Sequence, residues 1–329
     1  MRQLETLLHF ESLQLDNCID YMCGIFENDV LVATGSCCEN TLRCFAVKES
    51  HKGTGLLNTV LTHLLEIQNS RGNSHVFLYT KPESEKFFSN LGFYTIKQIE
   101  NLVFMENRRT GFKDFCFSLE KTARTGNCAA IVMNANPFTY GHRYIVEMSA
   151  RRFDCVHVFV LSQDSSFFPA DVRFELVMKG LQDIDNVILH KTESYMISNA
   201  TFPSYFLKDE DDVVIKQALL DCALFSDIAK SANVRTRVFG EENTSRVTEL
   251  YNKTASQYLE NYGIECSIIK RLCRDEKPVS ASTVRKKIHD NDFAGLEKLV
   301  PPSTLDYLMS DRALNVIDNI RNSNDVVHY

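Results

Sequence analysis

A loop in the second half of the chain places a hydroxyl, a glycine and an imidazole directly after a predicted strand. It lies between Met133 and Arg143. Thr139, Gly141 and His142 fall where the pattern predicts that a helix begins. A helix N-terminus carries partial positive charge and unpaired backbone N–H groups, and glycine lets a ligand approach the backbone closely. These residue types in this order indicate a site for a polyphosphate.

Strands and helices alternate around this loop. The strand-like runs are NCAAIVM, CVHVFVL, RTRVFG and IECSIIKR, and each is followed by a helical pattern. Nearly continuous apolar strands alternating with helices predict an α/β fold, a doubly wound parallel sheet that is Rossmann-like. Ligands of such sheets bind at the carboxyl ends of the strands, near a topological switch point. The Thr139 loop is predicted to lie at such an end.

The first part of the chain has a different pattern. Short β-branched or aromatic runs (YMCGIF, DVLVATGSC, TLRCFAV, HVFLYT) surround one helical stretch, GLLNTVLTHLLEIQN. This pattern predicts a smaller α+β domain. The polar segment SLEKTARTG suggests the boundary, so we predict one domain over residues 1–120 and a second over residues 126–329.

Two motifs in the second part resemble the nucleotidyltransferase superfamily. Thr139-x-Gly141-His142 is similar to its H-x-G-H signature, with threonine at the first histidine position. The segment SASTVR is similar to the I-S-S-T-x-x-R motif that opens a later helix in that superfamily. The resemblance implies that Ser282 and Thr283 contact the β- and γ-phosphates and that Arg285 clamps their charge. We expect the two helix N-termini to converge on one triphosphate site.

The order of several segments narrows the resemblance to one family. NPFTYGHRYIVE, FFPADVRFELV, ISNATFPSYFLK, a GEE segment and the S-x-S-T-V-R helix resemble the citrate (pro-3S)-lyase ligase family, also called acetate:citrate-lyase ligases, over most of residues 127–309. That family fuses this domain to an acetyltransferase-like domain. The resemblance implies an AMP-forming acid–thiol ligase that uses ATP and Mg²⁺ to convert acetate to acetyl-AMP with release of pyrophosphate. The acetyl group then passes to the thiol of a CoA-like prosthetic arm on the acyl carrier protein of citrate lyase, which activates the lyase.

The chemistry implied by the resemblance needs positioning and electrostatic stabilisation, not a protein nucleophile, because acetate is already ionised at neutral pH. We assign His142 to the α-phosphate in the transition state and Thr139 as a hydrogen-bond donor beside it. Mg²⁺ commonly bridges phosphates with few protein ligands, and we assign no protein metal ligand. The segment Phe202–Tyr205 is a candidate for the acetate pocket. The remaining nucleotide-binding candidates are Asn136, Pro137, Phe138, Gly141, Arg173, Gly240, Glu241, Ser282, Thr283 and Arg285.

Several of these residues also have a purely structural interpretation. Thr139 and Ser282 suit helix N-caps, and capping is compatible with binding. Gly240 with Glu241 suits a tight turn, and Arg173 suits a surface ion pair.

A second glycine-containing loop occurs in the first part. VKESHKGTGL, with Gly53 and Gly55, resembles the R/Q-x-x-G-x-G/A loop of the acetyltransferase superfamily, whose amides hold the pyrophosphate of CoA. FFSNLGF resembles a late element of the same fold. Ser50 stands where that superfamily usually has Arg or Gln, and a tight strand-to-helix turn is the alternative. We hypothesise that this domain binds the CoA-like arm.

Composition disfavours several other functions. A net charge of −7 and an isoelectric point near 5.8 argue against a nucleic-acid partner. The chain has no apolar run of the roughly 18 residues that a membrane span needs, and its start does not resemble a secretory signal. The 11 cysteines include no C-x-x-C pair, so we interpret them as small buried side chains in a reducing cytoplasm, without a metal site.

Two other functions stay open. The first is an adenylyltransferase for a small phosphorylated metabolite, such as a pantetheine or nicotinamide phosphate, fused to an acetyltransferase. The second is a non-catalytic regulatory protein that binds acetyl-CoA.

Overall fold

The computed structural model describes the chain except for residues 1, 17, 164–165, 198–201, 203–209, 242–245, 276 and 327–329. The chain divides into two compact units, Met1–Phe115 with Ile197–Ala223, and Cys116–Met196 with Leu224–Tyr329. The domain limits 1–120 and 126–329 stay a prediction. The compact units differ from them because Ile197–Ala223 makes its contacts within the first unit.

The first unit contains a mixed six-stranded sheet with the order β1-β2-β3-β4-β6-β5. Strands β3 and β4 are parallel, and all other neighbours are antiparallel. The strands are β1 (Tyr21–Glu27), β2 (Val30–Cys38), β3 (Thr41–Val47), β4 (Phe77–Thr80), β5 (Tyr94–Ile99) and β6 (Leu102–Glu106). The helices of this part of the chain are α1 (Arg2–Phe10), α2 (Leu56–Ser70), α3 (Pro82–Asn90) and α4 (Gly111–Glu120).

Helix α2 packs on this sheet through the apolar face that its sequence predicts. Val60, Leu61 and Leu64 are buried in the core of the first unit. Gly35 on β2 lies against the same helix, and a Cβ atom there would stand only 2.6 Å from Cγ1 of Val60. The close approach of β2 and α2 therefore requires glycine, and it fixes the helix that begins at the Gly53–Gly55 loop.

The second unit contains a five-stranded parallel sheet with the order β11-β10-β7-β8-β9. Its strands are β7 (Cys128–Met133), β8 (Cys155–Val160), β9 (Val187–Lys191), β10 (Thr236–Gly240) and β11 (Glu265–Ile269). From β7 the chain adds β8 and β9 on one side, then returns to add β10 and β11 on the other. The topological switch point thus lies between β7 and β10, where open α/β sheets bind ligands.

Helices cover this sheet, and the predicted doubly wound fold is confirmed. Every residue of β8 is buried, as expected for a parallel strand with both faces covered. The helices of this part of the chain are α5 (Tyr140–Ala150), α6 (Ala170–Gly180), α7 (Glu210–Ser231), α8 (Arg246–Glu260), α9 (Ala281–His289), α10 (Pro302–Leu308) and α11 (Leu314–Arg321), and a short hairpin pairs β12 (Cys273–Arg274) with β13 (Lys277–Pro278). In the described part of the chain, no helix has both the length and the apolar character needed to cross a bilayer.

The cysteines depart from the sequence prediction at two places. Cys18 and Cys38 form a disulfide with a Cα–Cα distance of 5.7 Å, because the segment after α1 returns to the end of β2. Cys273 is exposed. The interpretation of all 11 cysteines as buried thiols is therefore wrong for these three, and Cys23, Cys116 and Cys266 are only half-buried.

Candidate active site

The Thr139 loop joins β7 to α5 through a reciprocal cap. Thr139 is the N-cap: its hydroxyl oxygen accepts the His142 amide at 3.4 Å, and its own amide donates to Nδ1 of His142 at 3.1 Å. The Thr139 hydroxyl also lies 2.9 Å from that nitrogen, and Thr139 is fully buried. The capping box therefore fixes the imidazole at the N-terminus of α5.

These hydrogen bonds also set the protonation of His142. A backbone amide can only donate, so Nδ1 is an acceptor and the proton of the neutral ring sits on Nε2. Burial, followed by the nearby positive charges of Arg271 and Arg285, lowers the pKa of His142 to about 4. At neutral pH the ring is therefore uncharged, and Nε2–H is a donor. Among the described residues, none accepts a hydrogen bond from it.

Helix α9 begins with a cluster of three hydroxyls. Ser280, not Ser282, is the N-cap, and its oxygen accepts the Thr283 amide at 3.2 Å. The Ser280 oxygen lies 2.9 Å from the Ser282 hydroxyl and 2.8 Å from the Thr283 hydroxyl. The N-terminus of α9 therefore combines free backbone N–H groups with side-chain donors, which suits an anion.

The two helix N-termini lie side by side, as the sequence predicts. A Cβ atom on Gly141 would clash with the carbonyl oxygen of Val279, the residue before the α9 cap. The amide of Tyr140 donates to Leu299 O at 2.9 Å, and Arg285 donates to Asn136 O at 2.5 Å. The sequence predicts that glycine at position 141 lets a phosphate approach the backbone. This explanation needs correction, because the space that a side chain would fill is occupied by the segment before α9 and not by a phosphate.

The two arginines predicted as phosphate ligands, Arg173 and Arg285, are buried and donate hydrogen bonds to backbone carbonyl oxygens. Arg173 donates through Nε to Phe168 O at 2.9 Å, through Nη1 to Leu161 O at 2.6 Å, and through Nη2 to Gln163 O. The prediction of a phosphate contact or a surface ion pair for Arg173 is therefore wrong. Arg285 also donates, through Nε, to Val326 O at 2.8 Å, and its role as a phosphate clamp stays a prediction.

The residues after β10 and β11 form a second edge of the site. Gly240 ends β10, and the Glu241 amide donates to Ile269 O at 2.8 Å. Arg271 follows β11 and donates through Nε to Glu241 O at 2.7 Å. Sequence reasoning missed Arg271, whose charge acts on His142. The signal that would have found it is its position just after a parallel strand, the rule already applied to Thr139.

Asn136, Pro137 and Phe138 shape the loop from within. The side-chain oxygen of Asn136 accepts the Phe168 amide at 3.1 Å. The Asn136–Pro137 peptide is cis. The fully buried Phe138 ring stacks on His142 with ring centroids 5.9 Å apart. The Phe138 ring therefore packs against the imidazole. Direct nucleotide contacts from Asn136, Pro137 and Phe138 stay a prediction.

Comparison with known proteins identifies the family. The family described as the citrate lyase ligase C-terminal domain matches residues 128–308. The chain is 37% identical to the citrate (pro-3S)-lyase ligase of Escherichia coli K12, over 94% of this chain and 90% of that protein. The chain belongs to the citrate lyase ligase family.

Solved structures are similar to separate parts of this citrate lyase ligase family member. One is a bifunctional NMN adenylyltransferase/ADP ribose pyrophosphatase from Francisella tularensis, complexed with AMP and a manganese ion, with 15% identity over 60% of this chain and 52% of that chain and a TM-score of 0.38. Another is an aminoglycoside 6'-N-acetyltransferase complexed with coenzyme A, with 13% identity over 32% of this chain and 88% of that chain and a TM-score of 0.28.

The other predicted loop of this family member lies in the first unit. Gly53 and Gly55 have φ values of 79° and 86°, and Gly55 is the N-cap of α2. A Cβ atom at either position would meet nothing within 4 Å. Glycine is therefore required by the backbone conformation, and the space beside the loop is open. Of the segment predicted for acetate, Phe202 is buried and its ring lies 6.1 Å from that of Tyr79, whereas residues 203–205 lie outside the described residues.

The hydrogen-bond donors of this site in the second unit suit a nucleoside triphosphate. Two helix N-termini, three hydroxyls, a neutral imidazole N–H and the Arg271 guanidinium are all donors, which suits phosphate oxygens. Glu241 is the carboxylate among the predicted site residues. A magnesium ion brought with ATP would therefore be held mainly by phosphate oxygens.

Proposed function

We propose that this chain is an ATP-dependent ligase that activates citrate lyase by acetylating the acyl carrier protein of that enzyme. The family membership supports the activation of citrate lyase. The single observation that carries the ATP chemistry is the neutral His142 N–H, held at the meeting point of two helix N-termini. In this proposal the protein is a cytoplasmic, AMP-forming acid–thiol ligase with acetyl-AMP as its intermediate.

In the first step, a carboxylate oxygen of acetate attacks the α-phosphorus of ATP. The bond from that phosphorus to the bridging oxygen breaks, and pyrophosphate leaves with the electron pair. The Nε2–H of His142 donates to an α-phosphate oxygen as its negative charge grows, and the Thr139 cap holds the ring ready beforehand. The α9 N-terminus with Ser282 and Thr283 holds the leaving pyrophosphate. Mg²⁺ bound to the phosphates would supply further charge neutralisation.

The neutral state of His142 matters to this step. A protonated ring would be repelled by Arg271 and Arg285, so the site is built for a donor that carries no net charge. His142 therefore acts by hydrogen bonding and not as a general acid.

In the second step, the thiolate of the carrier's prosthetic arm attacks the carbonyl carbon of acetyl-AMP. The bond from that carbon to the AMP oxygen breaks, AMP leaves with the electron pair, and the thiol proton passes to solvent. We propose that the Gly53–Gly55 loop binds the phosphate part of the CoA-like arm, which the open space beside both glycines supports.

Acetate-dependent exchange of labelled pyrophosphate into ATP tests the first step. We expect exchange with acetate in the full-length protein and a loss on the order of 10²–10³ in rate for His142→Ala, with a smaller change in the KM for ATP. His289→Ala is the matched control, because His289 is exposed on the same helix as the phosphate cluster. The adenylyltransferase alternative predicts that 4'-phosphopantetheine or nicotinamide mononucleotide, instead of acetate, supports the exchange. The regulatory alternative predicts binding of acetyl-CoA with no exchange at all.

A pair of substitutions at Gly53 tests the first unit without truncation. Asn and Asp both tolerate a positive φ and have nearly the same shape, but only Asp adds a negative charge. We expect Gly53→Asp to slow acetyl transfer to the carrier more than Gly53→Asn does, while both keep wild-type pyrophosphate exchange. Equal transfer rates in the two variants would reject phosphate binding by this loop.

A further inference from the structure

A cluster of two thiols and an imidazole lies at the opposite end of the parallel sheet from the Thr139 loop. Cys128 is the first residue of β7, Cys155 is the first residue of β8, and the two are paired in register. His157 is two residues along β8 from Cys155, so both side chains lie on the same face of the strand. One ligand atom from each of Cys128, Cys155 and His157 lies within 4.8 Å of the other two.

The packing around the cluster leaves one buried polar atom without a partner. All three side chains are buried. His157 uses Nδ1 in a 2.9 Å hydrogen bond with Nε2 of His190, whereas its own Nε2 has no hydrogen-bond partner. The residue opposite His157 in the register is Ala130. A buried polar atom without a partner is unusual in a folded protein and calls for an explanation.

We propose that Cys128, Cys155 and His157 bind a structural zinc ion. Two thiolates and one imidazole are ligands that zinc prefers. The Cys128 thiol donates to the carbonyl oxygens of Arg124 and Gly126 at 3.4 and 3.8 Å, and zinc would displace that proton. A water molecule would complete the four-coordinate site. This proposal differs from the sequence prediction, which assigned no metal site because the chain contains no C-x-x-C pair.

Charge and protonation agree with a zinc ion. Two thiolates, a neutral imidazole and a divalent cation sum to zero, which a buried site requires. An ordinary thiol has a pKa of about 8.5, so both thiols are mostly protonated at neutral pH in the absence of metal. Each zinc ion bound at neutral pH must then displace two protons into solvent.

His190 acts as a positioning residue for the proposed site. Its Nε2 holds the other ring nitrogen of His157, the arrangement that commonly orients an imidazole ligand. The His190 ring stacks on Phe159 with centroids 4.7 Å apart, which fixes it in turn. We therefore expect a His190→Gln variant to bind zinc about 10–100-fold more weakly while still binding one ion.

Zinc binding by the reduced, chelator-treated full-length protein tests the proposal. A titration with Zn²⁺ against a chromophoric competing chelator should give one tight site per chain, and weakly buffered protein should release two protons per zinc. Cys128→Ser and Cys155→Ser should each abolish the tight site. Cys266→Ser is the control, because Cys266 lies in the same sheet, on β11, outside the cluster.

Two readouts on the unsubstituted protein keep the test decisive if a serine variant fails to fold. Cobalt bound in place of zinc should show intense thiolate-to-metal absorption, and saturating Zn²⁺ should raise the midpoint of thermal unfolding. Absence of saturable zinc binding, or tight binding that persists in both serine variants, would overturn the proposal. Pyrophosphate exchange is not a readout here, so the failure of this inference would leave the proposed function untouched.

Discussion

Gly141→Ala offers a sharp test of the paired helix N-termini. Gly141 is the second residue of α5, where exchanging glycine for alanine would ordinarily stabilise a helix by up to about 1 kcal/mol. Here the new methyl group would overlap the Val279 carbonyl, which is backbone and cannot turn aside. The two helix ends must therefore separate. Overpacking of this kind typically costs about 1–3 kcal/mol, so the sign of the expected stability change is reversed.

The separation should affect catalysis more than stability. Displacement of catalytic groups by about 1 Å can cost on the order of 10²-fold in rate, and the α9 hydroxyls are predicted to hold the pyrophosphate that leaves from beside His142. We expect acetate-dependent pyrophosphate exchange to fall about 100-fold while the chain stays folded at 25 °C. Thermal denaturation and exchange kinetics on the same sample measure both effects.

Gly263→Ala is the matched control for this prediction. Gly263 has a φ of 71° and no atom within 4 Å of an added Cβ, so alanine there would strain the backbone without touching the site. Its stability should fall by roughly 1–2 kcal/mol with little change in exchange rate. Wild-type exchange by Gly141→Ala, or a variant more stable than the parent, would contradict the close approach of the two helix N-termini.

Three further outcomes follow from the site. The fold lowers the pKa of His142 from an ordinary value of 6.5 to about 4, so the stability that it contributes is lost as pH falls from 6.5 to 4. The free energy of unfolding, measured in urea across this range, should depend less on pH in His142→Gln than in the parent. The same pH dependence in both proteins would contradict the buried neutral ring. Arg173→Met leaves several buried carbonyls without donors and should lower the free energy of unfolding, measured in urea, by on the order of 3 kcal/mol. A loss of ATP affinity with unchanged stability would instead support a phosphate contact by Arg173. Ser280→Ala removes the α9 cap and should lower the free energy of unfolding by about 1 kcal/mol. Ser282→Ala should leave the free energy of unfolding unchanged and slow pyrophosphate exchange. The opposite pattern would make Ser282 the cap.

Local signals made the core of the site predictable. The helix start at Thr139 and His142 is readable from the sequence, because a capping residue, a glycine and a preceding apolar strand are all short-range features. The alternation of apolar strands and helices likewise predicts the parallel sheet, and the carboxyl-end rule then selects the loop that matters.

Features that depend on distant segments could not be predicted in this way. The carbonyl oxygens that accept hydrogen bonds from Arg173 belong to two loops that lie against α6. The clash that demands Gly141 comes from Val279, far along the chain. Neither partner leaves a local pattern, so the sequence alone favours a ligand role for Arg173 and a point of phosphate approach at Gly141. The Cys128–Cys155 pair has the same origin, because register between two strands is a property of the sheet.

The discontinuous first unit has a consequence for synthesis of the protein. Its contacts include Ile197–Ala223, so the N-terminal part cannot complete its fold until residue 223 has left the ribosome. By then β7, β8 and β9 have already been made. The polypeptide crosses between the two units three times. A single proteolytic cut near residue 120 would therefore divide the first unit between two fragments, since Ile197–Ala223 would remain on the C-terminal one.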